Sequence, residues 1–80
     1  MNFEVIVQLK QEVLDPEGRA IKESLGRLGL NALRGVNVSK RFVLDIDESA
    51  ENPEETAKQI AHEYLANPVS ETFEVRRMDS

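Results

Sequence analysis

Two helix starts divide this chain into segments of alternating type, and they constrain its fold more than any other feature. Asp15 precedes Pro16 in the first, and Asn52 precedes Pro53 in the second. Asp and Asn side chains accept hydrogen bonds from the free N–H groups of a first helical turn, and proline suits its first position. We therefore predict one helix beginning at Pro16 and another beginning at Pro53.

The segments outside the helices alternate apolar and polar residues, which is the period of a strand with one buried face. This alternation runs through Phe3–Leu9, through Arg34–Asp47 and through a short stretch around Phe73 and Val75. The middle segment exceeds the typical strand length of about 5–6 residues, so it either bends or extends beyond its own domain. The order predicts a single two-layer α+β domain over residues 1–80, β-α-β-α-β, with both helices on one face of a small, mainly antiparallel sheet.

Lys40 is the one break in the apolar face of the middle segment, and it leaves two interpretations open. The apolar residues of that face are Val36, Val38, Phe42, Leu44 and Ile46. In one interpretation, a bulge at Ser39 turns Lys40 outward and the alternation resumes after it. In the other, Lys40 stays on the covered face near a subunit boundary and meets a carboxylate of another chain. A hairpin at this point would give a ferredoxin-like βαββαβ order, but no Asn-Gly or Gly-Gly turn is present, so we favour one bent strand.

Three glycines bear on the first helix. Gly29 follows apolar residues at helical spacing, and we predict it to be a left-handed C-cap. Gly18 and Gly26 lie inside the helix, where each costs up to about 1 kcal/mol relative to alanine. They either mark the close approach of another backbone or are merely tolerated, and the spacing alone favours tolerance.

The second helix carries the clearer apolar stripe. Its apolar residues, at i, i+3, i+4, i+7 and i+8, are Ala57, Ile60, Ala61, Tyr64 and Leu65. Glu55 completes a capping-box arrangement with Asn52. We predict that Asn67 takes the left-handed C-cap and that Pro68 prevents continuation of the helix.

The chain is short, acidic and free of cysteine, which excludes several classes of function. Its 80 residues include 10 Lys and Arg against 15 Asp and Glu, for a net charge of −5. That balance disfavours nucleic acid as a partner, and the lack of cysteine excludes disulfides and thiolate metal sites. With no apolar run near the roughly 20 residues of a membrane helix and no signal peptide, we expect a cytoplasmic protein without membrane contact. The thin core of so small a domain favours oligomerisation.

Titratable side chains are present, but they form no catalytic or metal-binding pattern. His62 is the single histidine, and we expect it to be partly exposed on the second helix. The carboxylates of Asp45–Glu51 lack the glycine and the ligand spacing of a calcium loop, so we interpret them as a solvated strand end. No nucleophile has a base nearby in sequence, and no phosphate-binding loop ends in Lys-Ser or Lys-Thr. We therefore predict no catalytic residue, no metal ligand and no cofactor in this chain.

Three short segments, in order and at matching spacing, carry a resemblance to a known family. They are the start of the first helix, the segment before Lys40 and the end of the second helix. The matching residues are Lys10, Val13, Leu14, Asp15, Pro16, Gly18, Val36, Lys40, Leu65, Asn67, Pro68 and Glu71. With these residues the chain resembles the PurS family, the small subunit of phosphoribosylformylglycinamidine synthase. Asn37 stands where the family often has arginine and Ser39 where it often has glycine, so an arginine contact is not carried over, and a positive φ at that glycine would strain serine.

The resemblance implies a subunit without its own catalytic site. The whole synthase converts formylglycinamide ribonucleotide to formylglycinamidine ribonucleotide in de novo purine synthesis, and it is expected to use ATP, Mg²⁺ and glutamine-derived ammonia. A large synthetase subunit, PurL, holds the ATP and ribonucleotide chemistry, and a glutaminase subunit, PurQ, releases ammonia. PurS-like subunits pair with themselves, as a dimer or tetramer, and help to bring the other two together. The candidate interface residues are Lys10, Asp15, Pro16, Gly18, Lys40, Asn67, Pro68 and Glu71.

An alternative from another class is a stand-alone small-molecule-sensing module of ferredoxin-like shape. A sensor would be expected to show a glycine-rich ligand loop where a strand meets a helix. The segment from Gln11 to Gly18 is instead a plain capped helix start. The residues therefore favour the assembly subunit over the sensor.

Overall fold

The computed structural model describes residues 1–78, which form a three-stranded sheet and two helical segments. Strand β1 spans Asn2–Leu9 and helix α1 spans Pro16–Arg27, followed by strand β2 over Ser39–Asp45. Helix α2 spans Pro53–Ile60 and continues into a π-helical turn over Ala61–Leu65, before strand β3 over Glu71–Met78. The predicted order, β-α-β-α-β, is confirmed, and the middle segment does not split into a hairpin.

The sheet is antiparallel throughout, with β1 between the other two strands in the order β2-β1-β3. Val5 lies opposite Phe42 on β2 and opposite Val75 on β3. Because directly opposed residues share a face, most apolar residues of the three strands lie on the same side of the sheet, with Ile6 and Val43 as exceptions on the other side. This face is the one that α2 covers.

The second strand is half the predicted length. The sequence pattern predicts a strand over Arg34–Asp47, but β2 spans only Ser39–Asp45. The reason is the end of its neighbour: β1 pairs with β2 only as far as Gln8 opposite Ser39. Residues 34–37 therefore have the alternation of a strand but no adjacent strand of their own chain to bond.

The core lies between β1 and the second helical segment. Phe3, Val5 and Val7 are almost fully buried, and Ala57 and Ala61 pack over them with no exposed surface. Small alanine side chains allow the helix to approach the sheet closely, so the helix contributes contact mainly through its backbone-proximal atoms. Half-buried apolar residues from β2, β3 and the helix end surround this centre.

The π-helical turn changes which residues of the predicted apolar stripe are buried. Ala66 N–H bonds to the carbonyl of Ala61 at 3.0 Å, five residues back, so this turn holds more residues than an α-helical one. The extra residue rotates Tyr64 away from the sheet, and its side chain is 77 % exposed. Leu65 takes its place as a half-buried contact to the core.

The sequence predicts that both helices cover one face of the sheet, but helix α1 does not pack on that face. Its single buried residue is Gly18, and none of its side chains joins either core cluster. The helix instead lies along the segment that returns to β2, and the molecule is elongated, with extents of 53 × 29 × 13 Å. Gly29 has the predicted left-handed conformation, with φ +89°, and Leu30 N–H bonds to the carbonyl of Leu25 at 3.0 Å to close the helix end.

Candidate functional site

The eight residues singled out from the sequence lie together at one end of the sheet, where β1 ends, α1 begins and β3 begins. We call this region the motif end; its predicted members are Lys10, Asp15, Pro16, Gly18, Lys40, Asn67, Pro68 and Glu71. Two hydrogen-bonded groups build it, one around Asp15 and one around Glu71. Sequence positions up to 61 residues apart, from Lys10 to Glu71, are thereby brought to a single surface.

Asp15 joins the start of α1 to the segment that enters β2. One carboxylate oxygen accepts from Gly18 N–H at 2.8 Å, as predicted for an N-cap. The other accepts from Val38 N–H at 2.9 Å, a contact between residues 23 positions apart. These two backbone donors, Gly18 first and Val38 second, lower the pKa of the Asp15 carboxyl below its ordinary value. Sequence reasoning found the cap and missed Val38, because a backbone N–H leaves no signal in the sequence.

Gly18 sits against the same returning segment. A Cβ atom built at this position would lie 2.0 Å from the carbonyl oxygen of Val36, whereas one at Gly26 would meet nothing within 4 Å. Tolerance is thus the correct interpretation for Gly26 and the wrong one for Gly18. At Gly18 the backbone of residue 36 approaches too closely for any side chain.

A second hydrogen-bonded group fixes the turn before β3. The Glu71 carboxylate accepts from Asn67 N–H at 2.7 Å, and the Asn67 side chain accepts from Val69 N–H at 3.0 Å. Lys10 N–H bonds to the carbonyl of Ser70 at 2.8 Å, which ties this turn to the end of β1. The predicted left-handed C-cap at Asn67 is wrong, because φ is positive only at Gly29 among residues 1–78. The π-helical turn ends the helix one residue earlier, so Asn67 starts a turn instead.

Lys40 lies on the helix-covered face of the sheet. It pairs with Val7, and the register continues without an inserted residue from Gln8 opposite Ser39 to Asn2 opposite Asp45. The bulge interpretation is therefore wrong. Ser39 has ordinary extended geometry, so serine in place of glycine carries no strain here.

The Lys40 side chain is exposed and borders a cavity of about 240 Å³ at the motif end. Three carboxylates share that lining, those of Asp15, Glu17 and Glu71. Lys40 is within ion-pair distance of none of the acidic groups in residues 1–78, although the three nearby carboxylates make its surroundings acidic. A surface of this kind suits docking to another chain better than chemistry on a small molecule.

The remaining candidates for chemistry have structural explanations. His62 is exposed, as predicted, and its ring meets that of Phe73 edge-on with centroids 6.3 Å apart. At the acidic strand end, the Asp47 carboxylate accepts from Ser49 N–H at 2.9 Å. Within the described part of the chain, no three His, Cys, Asp or Glu side chains lie together in a way that could hold a metal ion. Nor does any helix there have the length and apolar character needed to cross a membrane.

Replacing Asp15 separates its two roles. Asp15→Ala should lower the melting temperature by roughly 5–10 °C, because it removes an N-cap together with the bond to Val38. Asp15→Asn keeps an acceptor for Gly18 N–H but offers an amide nitrogen to Val38 N–H, so we expect a loss between wild type and Asp15→Ala. Thermal unfolding followed by circular dichroism measures both. Equal melting temperatures for Asp15→Asn and wild type would show that the Val38 bond contributes nothing.

The lowered pKa of Asp15 also fixes the sign of a pH dependence. A carboxyl with a lower pKa in the folded state stabilises the fold above its unfolded pKa, and that stabilisation is lost as the pH falls through the folded pKa. We therefore expect the wild type and Asp15→Asn to converge in stability at acid pH, below the ordinary aspartate range, and to differ at pH 7.

Comparison with known proteins places this architecture in one family. The family model PurS, described as phosphoribosylformylglycinamidine (FGAM) synthase, matches residues 2–79. The phosphoribosylformylglycinamidine synthase subunit PurS of Mycobacterium leprae is 42 % identical over 73 residues, which cover 91 % of this chain and 90 % of that protein.

Solved structures agree with the sequence match. The crystal structure of PurS from Methanocaldococcus jannaschii, described as one of the subunits of formylglycinamide ribonucleotide amidotransferase in the purine biosynthetic pathway, superposes with a TM-score of 0.82 at 35 % identity. The match covers 94 % of this chain and 92 % of that one. A chain in the structure of PurLQS from Thermotoga maritima superposes with a TM-score of 0.74 at 28 % identity, over 96 % of this chain and 95 % of that one.

Proposed function

The chain belongs to the PurS family, and we propose that it is the non-catalytic small subunit of a phosphoribosylformylglycinamidine synthase in de novo purine biosynthesis. It pairs with itself and helps to assemble a PurL-like synthetase subunit and a PurQ-like glutaminase subunit for ammonia transfer. The observation that carries this function is the match, along nearly the whole chain, to a chain of the PurLQS structure.

The geometry of the motif end supports an assembly role. Asp15 and Glu71 are engaged with backbone N–H groups, which fix the shape of two turns rather than activate a nucleophile. Catalysis would need a nucleophile, a base and an oxyanion site in mutual reach. The exposed Lys40 and the carboxylates around it instead provide a charged surface of defined shape, which favours specific docking.

Cofactors and location follow from the same proposal. ATP and Mg²⁺ act in the PurL-like subunit, where the synthetase reaction takes place, and this chain binds neither. The complex works in the cytoplasm, where its nucleotide substrate is made and consumed. Nucleic acid and membrane are not partners in this proposal, in keeping with the net charge of −5.

Reconstitution tests the proposed function directly. The purified chain should hydrolyse neither glutamine nor ATP, because it lacks a nucleophile–base pair and a phosphate-binding loop. Mixed with the PurL- and PurQ-like subunits of the source organism, it should be required for glutamine-dependent formation of the amidine product. Added ammonium salt should support the reaction when this chain or the glutaminase is omitted, because free ammonia then replaces the ammonia that the glutaminase releases and the complex transfers.

Two results would contradict the proposal. One is glutamine or ATP turnover by the purified chain that a point mutation in the chain abolishes. The other is full glutamine-dependent activity without this chain. A thermal-shift screen with amino acids and nucleotides covers the sensor alternative, which requires a saturable rise in melting temperature with one of them.

A further inference from the structure

Charge is divided unevenly along this chain, although its net charge is −5. Residues 19–41 contain six basic side chains and one acidic side chain, for a net charge of +5, which leaves −10 for the rest of the chain. The basic residues of this segment are Arg19, Lys22, Arg27, Arg34, Lys40 and Arg41, and the acidic one is Glu23. Segregation of this kind produces a local positive potential that the net charge of the whole chain conceals.

Three of these basic side chains line one cleft, of about 400 Å³, which we call the basic cleft. Arg19 and Lys22 belong to the first half of α1, Arg34 belongs to the segment that returns to β2, and all three are exposed. Glu12 and Asp15 also line it, but the Asp15 carboxylate already accepts hydrogen bonds from two backbone N–H groups. The basic cleft is therefore a recess of positive charge on an otherwise acidic protein.

The charges of the basic cleft are poorly compensated within the chain. Lys22 and Arg34 lie within ion-pair distance of no acidic group in residues 1–78. Arg19 does pair, with Glu23 at 3.2 Å, but both side chains are exposed, at 63 % and 56 %, and such a surface pair contributes little. An acidic partner could thus contact all three basic groups without breaking a strong pair inside the chain.

The basic groups of α1 also point away from its apolar stripe, which is formed by Ile21, Leu25 and Leu28 at i, i+4 and i+7. At about 100° per residue, Lys22 lies about 100° around the helix from Ile21, and Arg19 lies about 160° from it. An element that packs on the stripe therefore leaves the basic side of the helix facing outward. The helix is able to make an apolar contact and an ionic contact with two different elements at once.

We propose that the basic cleft docks an acidic segment of one of the catalytic subunits of the synthase. Charge complementarity carries this inference: guanidinium groups match carboxylates in geometry, and two of the three basic side chains have no ion pair among residues 1–78. A small anion fits less well, because sites for small ligands bury most of the ligand, whereas all three basic side chains here are exposed. The inference deepens the assembly role in the proposed function and rests on it.

Association rates at different salt concentrations test the docking site. The PurL-like and PurQ-like subunits are immobilised separately, and binding of the full chain is followed by biolayer interferometry between about 0.1 and 1 M salt, over which the Debye length falls from about 10 to about 3 Å. Reversing two charges, with Lys22→Glu and Arg34→Glu in one variant, should slow association with one of the two subunits by at least about tenfold at the lowest salt. The difference from wild type should nearly disappear at the highest salt, because screening removes an electrostatic effect and not a structural one.

Two further variants control for net charge and for folding. Lys58→Glu combined with Arg77→Glu changes the net charge by the same amount, at exposed positions on α2 and β3 outside the basic cleft. Its association rate should stay within about twofold of wild type, since only the location of the charge differs. The neutral variant, Lys22→Gln with Arg34→Gln, should be intermediate, and it keeps the test decisive if charge reversal impairs folding as measured by circular dichroism.

The outcomes separate this inference from the function on which it rests. Equal slowing by the cleft variant and by its net-charge control, or slowing by neither, would overturn the docking site. So would a loss of self-association in light scattering with unchanged binding to both subunits, or a saturable rise in melting temperature with inorganic phosphate that charge reversal abolishes. All of these leave the assembly function standing, whereas failure of the wild-type chain to bind either subunit would overturn both.

Discussion

Gly18→Ala should be the most damaging single substitution in the isolated chain. The new methyl group would lie 2.0 Å from the carbonyl oxygen of Val36 and 3.0 Å from its carbonyl carbon, both of them backbone atoms that cannot rotate away. Helix α1 must then separate from the returning segment, which also lengthens the bond between Asp15 and Val38. We expect a loss of about 2–3 kcal/mol in the free energy of unfolding, in the range of forced overpacking.

Gly26→Ala is the matched control, because it makes the same chemical change eight residues later in the same helix. Nothing lies within 4 Å of its new methyl group, so the better helix propensity of alanine should stabilise the chain by about 0.5–1 kcal/mol. Urea titration gives both free energies, and hydrogen exchange of the α1 amides shows whether the loss of stability begins in α1. Equal effects of the two variants would mean that the contact between Gly18 and Val36 does not restrict the helix.

These two glycines show where prediction from sequence ends. Residues within one element were predicted well: the caps at Asp15 and Asn52 and the left-handed Gly29 all follow from local hydrogen bonding and backbone sterics. Gly18 and Gly26 both lie inside α1, and the path of a segment 18 residues beyond Gly18 decides that only Gly18 excludes a side chain. No periodicity in the sequence encodes that path.

The predictions of the bounds of the second strand and of the apolar stripe of the second helix were wrong for related reasons. Alternation over Arg34–Asp47 correctly marks residues able to form a strand, but a strand also needs a neighbour, and β1 ends too early to supply one. The apolar stripe of the second helix assumes a constant 3.6 residues per turn, and the π-helical turn at Ala61–Leu65 breaks that constant and exposes Tyr64. Both deviations leave apolar or hydrogen-bonding groups open at the surface of a single copy.

The sequence predicted which residues belong to the candidate site but not how these residues are arranged. The eight residues came from a resemblance of three separate segments, and the structure brings those segments to one end of the sheet. What the sequence lacked was the partner of each side chain: a carboxylate shows that it can accept hydrogen bonds, but not that Asp15 accepts from Val38 or that Glu71 accepts from Asn67. The signal available in the sequence was the third segment itself, in which Asn67 and Glu71 stand four residues apart.

Lys40→Met should leave the isolated chain intact and weaken the assembled synthase. Methionine keeps most of the aliphatic stem, and Lys40 is exposed and lacks an ion pair within residues 1–78, so stability should change by no more than about 0.5 kcal/mol. In the interfacial interpretation, the ammonium group of Lys40 lies on a face that another chain of the complex covers. Loss of a buried charge partner there should cost about 2 kcal/mol of assembly free energy, or about thirtyfold in the concentration of chain that half-saturates activity.

The measurement is glutamine-dependent activity of the PurL- and PurQ-like subunits, titrated with wild-type or mutant chain. Arg41→Met is the matched control: Arg41 is the next residue of β2 and pairs with Glu4 on the opposite, uncovered face at 2.6 Å. Its removal should cost a few tenths of a kcal/mol in stability and leave the titration unchanged, since exposed ion pairs contribute little. Superimposable curves for Lys40→Met and wild type would refute the interfacial role. If the curves separate while self-association is unchanged, the carboxylate that meets Lys40 belongs to the synthetase or glutaminase subunit. If both shift together, it belongs to the second copy.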